Sequence, residues 1–69
     1  MKAVLTKNGV DYIVTVYNGT QFVESTIYPY VPREIAKKAA VHRLKHIGVD
    51  VTDMTMVKTS ENTWESVKA

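Results

Sequence analysis

Residues 7–21 read KNGVDYIVTVYNGTQ, and the two Asn-Gly pairs in this stretch, Asn8-Gly9 and Asn18-Gly19, decide the fold. Each pair stands between runs rich in valine, isoleucine, tyrosine and threonine, which suit a pleated, half-buried strand. Asn-Gly in that setting is the strongest short-range signal for a two-residue type I′ hairpin turn. The reading is a three-stranded antiparallel meander over residues 2–28. A turn centred on 8–9 pairs Leu5 with Tyr12 and Ala3 with Val14, and a turn centred on 18–19 pairs Val14 with Val23 and Val10 with Ile27. One face then collects Ala3, Leu5, Val10, Tyr12, Val14, Val16, Val23 and Ile27 as the expected core. Both turns select that face independently, the agreement between levels that marks a foldable sequence.

The opposite face carries Val4, Ile13, Thr15, Tyr17 and Phe22, with Asp11 and Glu24 among them. That is too apolar for an ordinary wet face. Three outcomes stay open: a mixed surface left bare, a face for a partner or a second copy, or internal cover by the C-terminal segment.

Downstream, Pro29 and Pro32 end the third strand, and Pro32 suits a first helical turn, where its missing N–H costs nothing. The helix runs to about Ile47. Gly48 is placed to cap it in the left-handed conformation, and Lys45 and His46 complement its carbonyl end. At about 100° per residue, Ile35, Ala36, Ala39, Ala40, Leu44 and Ile47 share one half of the circumference. After Gly48, loose alternation predicts a strand near 51–58, a polar turn near Ser60 to Asn62 and a further strand near 63–67. The expected fold is α+β, in the order β-β-β-α-β(β), with one helix packed on one face of a meander followed by one or two further strands.

Sixty-nine residues make a single domain over 1–69, and a chain this short buries only about 60% of the surface its unfolded form exposes. There is no cysteine, hence no disulfide framework and no thiolate metal site, which fits a reducing, intracellular setting. Apolar residues make up 45% and charged residues 23% of the chain, an ordinary globular composition. The N-terminus lacks the apolar core of a signal peptide, and no run approaches the ~18 apolar residues of a membrane span. The expectation is a soluble cytoplasmic protein with no membrane partner, monomeric or homodimeric. A formal net charge of +2 and a pI near 9.0 permit an acidic partner without requiring one.

Catalytic signatures are missing: there is no Gly-rich phosphate loop, no G-x-S-x-G elbow and no cysteine nucleophile. Ser25, Ser60 and Ser66 have no neighbouring histidine in sequence or in the expected pairing, so the chain reads as a non-enzyme without cofactor. Asp50 and Asp53 are explained by turn and cap roles. His42 and His46 have the i, i+4 spacing of a shared metal ion, but two ligands do not make a site and no third is spaced to join them. The other half of the helix carries Lys37, Lys38, His42 and Lys45 with Glu34 and Val41. It is either a solvated face or a stripe for about three phosphates. Arg43 projects into the apolar half, and must snorkel or reach an acidic group at the sheet edge. Tyr12 belongs to the core, while Tyr17, Tyr28 and Tyr30 are expected to cluster around strand ends and the YPY loop, with Tyr28 and Tyr30 closing the end of the core. Trp64 is either a lid on the sheet edge or an interaction anchor.

Two resemblances follow. REIAKKAAVHRL resembles the second helix of double-stranded RNA-binding domains through Ala36, Lys37, Ala39 and Ala40; the likeness implies a phosphate contact at Lys37. YIVTV, IYPYVPREIAKKA and GVDVT, covering residues 12–52, resemble in the same order the small inhibitors of bacterial RNA polymerase made by T7-type phages, chiefly at Tyr28, Glu34, Ala39, Gly48, Val51 and Thr52. That resemblance implies docking on the jaw of the polymerase's largest subunit, blocking promoter engagement.

Two functions are therefore expected. The first is a non-catalytic, phage-type accessory or inhibitor protein that docks on a host protein such as the transcription machinery, through Ile13, Tyr17, Phe22 and Trp64. The alternative is a module for duplex RNA or DNA that uses Arg33, Lys37, Lys38 and Lys45.

Overall fold

A computed structural model describes residues 1–68. Five strands and one helix follow in the order β1 (Lys2–Asn8), β2 (Asp11–Asn18), β3 (Gln21–Pro29), α1 (Arg33–His46), β4 (Met54–Ser60) and β5 (Thr63–Lys68). This is the β-β-β-α-β-β arrangement read from the sequence. The strands form one antiparallel sheet in the order β3-β2-β1-β5-β4. β5 joins the meander at β1, so the C-terminal hairpin widens the sheet instead of covering its outer face. The fourth strand begins three residues later than expected: Asp50 accepts hydrogen bonds from the backbone N–H and hydroxyl of Thr52, at 3.0 and 2.6 Å, and so holds residues 50–53 in a turn.

Both meander turns use their glycine as the first of two central residues: Asn8 pairs with Asp11 around Gly9-Val10, and Asn18 pairs with Gln21 around Gly19-Thr20. Gly9 and Gly19 each have φ near 64°, a conformation that no β-branched residue accepts readily. Glycine at the first central position belongs to type II′, not to the expected type I′ with Asn-Gly at the centre. The first hairpin therefore slides by two residues, giving Leu5 opposite Val14 and Ala3 opposite Val16. Because side chains alternate with period two, that slide leaves the core face of β1 and β2 unchanged.

β3 departs further. Its pairing shifts between Val16 and Tyr17, with Tyr17 opposite Phe22 but Val16 opposite Glu24, so Val23 is the extra residue of a bulge. Beyond the bulge the faces exchange. Glu24, Thr26 and Tyr28 turn toward the helix, and Ile27, at 62% exposure, joins the outer face. Val10 and Val23 are exposed as well. Three expected core residues are thus surface residues, two displaced by the bulge and one by the turn.

The core comprises Ala3, Leu5, Tyr12, Val14, Val16, Ala36, Ala40, Leu44, Met56 and Trp64. α1 contributes through Ala36, Ala40 and Leu44, spaced by four on one stripe, and the two alanines let the helix axis come close to the sheet. The stripe is rotated from the expected arc: Ile35 is half exposed, and Val41, assigned to the wet side, packs against the core. The helix ends in a Schellman motif, with the Gly48 N–H on the Lys45 carbonyl and the Val49 N–H on the Leu44 carbonyl, both at 3.0 Å. The ladder between β1 and β5 is short, and beside it the Ser66 hydroxyl accepts the buried Ala3 N–H at 2.9 Å. Among the described residues, no buried side-chain nitrogen or oxygen lacks a partner.

Candidate functional site

α1 occupies one face of the sheet, and the opposite face presents the candidate site. Cross-strand neighbours on β2 and β3 form three consecutive outward rungs: Ile13 opposite Ile27, Thr15 opposite Ser25, and Tyr17 opposite Phe22. Phe22 is 59% exposed, while Ile13 and Tyr17 are half-buried by their neighbours. The rings of Tyr17 and Phe22 meet edge to face with centroids 6.5 Å apart, a preferred aromatic geometry. The hydroxyls of Thr15 and Ser25 lie 3.5 Å apart between the two apolar rungs. On β1 the same face continues with Val4 and Thr6, and on β4 and β5 with Val57 and Val67, each about half exposed. Charge on this face is sparse. Its ion pair joins Lys2 to Glu65 at 2.8 Å, and that hydrogen bond holds the Glu65 carboxyl below the usual glutamate range.

Of the docking residues expected from sequence, Ile13, Tyr17 and Phe22 therefore share one face. Trp64 does not: it is 5% exposed, opposite Leu5 on the core side, with its ring 6.1 Å from that of Tyr12 and the Lys58 ammonium 5.6 Å from its centroid. It is a core residue with a cationic lid. Ile27 takes its place on the outer face, a residue that sequence reasoning had put in the core. Tyr17 lies at the opposite end of the β2–β3 ladder from Tyr28, so the expected tyrosine cluster does not form. Tyr28 packs on the core edge, while Tyr30 is 83% exposed at φ 55° and closes nothing.

The basic residues sit on α1. Lys38 and Lys45 are exposed with no carboxylate partner among the described residues, whereas the Lys37 ammonium lies 3.8 Å and the Arg33 Nε 3.9 Å from Glu34. Glu34 thus interrupts the stripe at its head. Arg43 is committed elsewhere, its Nε and one terminal nitrogen each 2.6 Å from one oxygen of Glu24 on β3. That is the acidic group at the sheet edge which its place in the apolar half demanded. The hydrogen bond from Arg43 is the main reason that the Glu24 carboxyl ionises below the usual glutamate range, partial burial pulling the other way. Among the described residues no group of three or more His, Cys, Asp or Glu side chains could hold a metal ion, so His42 and His46 have no third ligand. No helix among them is long and apolar enough to cross a membrane.

No family model, curated protein or solved structure matches this chain. The two family resemblances therefore rest on the residues that carry them.

Proposed function

We propose that this protein is a non-catalytic binding module whose outer sheet face docks on a partner protein. The observation that carries this reading is the ladder Ile13–Ile27 and Tyr17–Phe22, apolar and aromatic, on the face that no element among the described residues covers. Protein-binding surfaces are enriched in aromatic residues and depleted of charge at their centre, and this face is both. Its hydroxyl rung can exchange water for a partner's polar groups without burying a charge. Phosphate recognition needs cations, and on the β2–β3 half of this face there are none.

The resemblance to the phage-encoded inhibitors makes bacterial RNA polymerase the first partner to assay, with a role in host takeover through transcription inhibition. The test is capture of purified polymerase by the immobilised protein, with Phe22→Ser plus Ile27→Ser against Lys37→Glu plus Lys38→Glu. Loss of capture by the first pair, with native circular dichroism, supports docking through the outer face. Loss by the second pair alone transfers the site to the helix.

A further inference from the structure

A sheet of five strands has two edges, and this chain treats them differently. β3 carries three of the devices by which natural sheets discourage added strands: the bulge at Val23, the inward charge of Glu24 held by Arg43, and Pro29 at its end. β4 carries little. Met54, Thr55, Met56 and Val57 pair regularly with β5 and contain no charge and no proline; the irregularity begins only after Lys58. Along this open edge runs a groove of about 400 Å³ between the sheet and α1, lined by Met54, Thr55 and Met56 of β4 and by Glu34, Lys37, Lys38 and Val41 of the helix.

The chemistry of the groove narrows its occupant. Met54 and Met56 point to the helix side and with Val41 give an adaptable apolar floor, thioethers being suited to varied partners. Lys37 and Lys38 rim the floor on the helix side, with Glu34 the one acidic residue of the lining. A second copy of the chain, paired edge to edge about a two-fold axis, would bring the two lysine rims together. An acidic strand would not be repelled.

We propose that β4 receives an extended peptide as a sixth strand, with apolar side chains at alternate positions in the groove and acidic side chains flanking them beside Lys37 and Lys38. Main-chain hydrogen bonds to the β4 edge supply affinity, and the apolar floor with its basic rim supplies selectivity, the logic of strand addition. This surface is separate from the Ile13–Phe22 ladder, and the two readings stand or fall separately.

The probe is a fluorescein-labelled, end-capped heptapeptide, Asp-Thr-Val-Thr-Val-Thr-Asp, whose alternate residues present two valines between two aspartates. Fluorescence anisotropy on the full chain should show saturable binding, at least ten-fold weaker for Lys37→Glu plus Lys38→Glu and unchanged for Phe22→Ser plus Ile27→Ser. Amide resonances of residues 54–58 should shift on titration. N-methylating the valines and N-methylating the threonines should have opposite consequences, one abolishing binding and the other sparing it, because only alternate amides of an added strand face the sheet. No binding at 1 mM peptide, equal binding of the same peptide with lysine for aspartate, shifts confined to the outer face, or dimerisation through β4 would each overturn the proposal. So would tight binding of a duplex oligonucleotide by the same lysines without peptide binding.

Discussion

Replacing Ile27 and Leu44 by alanine, one at a time, separates the observed register from the regular one that the turn signals alone imply. Leu44 is fully buried, and truncating such a leucine costs about 3–5 kcal/mol through lost transfer energy plus the cavity left behind. Ile27 is 62% exposed. Removing its outer carbons forfeits about 0.4 of the ~2.4 kcal/mol that three fully buried methylene-sized groups contribute, hence about 1 kcal/mol, with no cavity because solvent fills the space. At about 0.05–0.15 kcal/mol per residue, a chain of 69 residues is stable by only about 3–10 kcal/mol. Leu44→Ala should therefore lose a large part or all of that stability, and Ile27→Ala should fold with most of it. In a urea titration followed by far-UV circular dichroism, a slope of about 1 kcal/mol per molar places the Ile27→Ala midpoint about 1 M below that of the parent protein. In the bulge-free register Ile27 would be a core residue, and its truncation would cost as much as that of Leu44. Equal losses for the two variants would refute the bulge, and with it the membership of the outer face.

Further outcomes follow from the same structure. Deleting Val23 removes the extra residue without moving any other side chain to the opposite face, so the fold, including the Arg43–Glu24 pair, should persist with stability within about 1 kcal/mol of the parent; a melt with no cooperative transition would contradict this. Ser66→Ala leaves the buried Ala3 N–H without its acceptor and should cost about 1–3 kcal/mol in urea unfolding, more than a serine with no buried partner would. Glu24 ionises below its ordinary range in the folded state, chiefly through the Arg43 hydrogen bond. Its contribution is thus complete above the unfolded glutamate value, about 4.3, and is lost as pH falls through the lower folded value. Asp50 and Glu65, also lowered, act with the same sign. Urea midpoints at pH 6 and pH 3 should therefore differ less for Glu24→Gln than for the parent protein, and an equal or larger difference would show that the pair is not formed in solution.

Much of this architecture was legible in the residues. Asn8-Gly9 and Asn18-Gly19 announced the meander, Gly48 announced the helix end, and the alanines of α1 announced close packing on a sheet. The faces of β1 and β2 survived a misplaced turn because a two-residue slide preserves parity. β3 was different. Its apolar residues Phe22, Val23, Ile27 and Tyr28 divide evenly between the two parities, so alternation could not choose the inward set, and the turns chose wrongly for want of the bulge. A usable signal was present in Arg43, which needed an acidic partner at the sheet edge. Turning Glu24 inward to meet it carries Thr26 and Tyr28 inward too, and sends Ile27 outward. Trp64 was misplaced for another reason: which strand β5 joins depends on contacts more than fifty residues apart, and periodicity carries no trace of them. The groove beside β4 was likewise hidden, since Met54 and Met56 show their alternation but not the helix they face.

The claim that the outer face is the docking surface is tested most directly by quantitative binding to purified bacterial RNA polymerase, comparing Phe22→Ser plus Ile27→Ser with the parent protein and with Lys37→Glu plus Lys38→Glu. Aromatic anchors at the centre of an interface are commonly worth about 2 kcal/mol or more, so the outer-face variant should bind at least about thirty-fold more weakly while the lysine variant stays within a few-fold of the parent. Polymerase binding that survives loss of the Phe22–Ile27 surface, and fails when the helix lysines are reversed, would contradict the account.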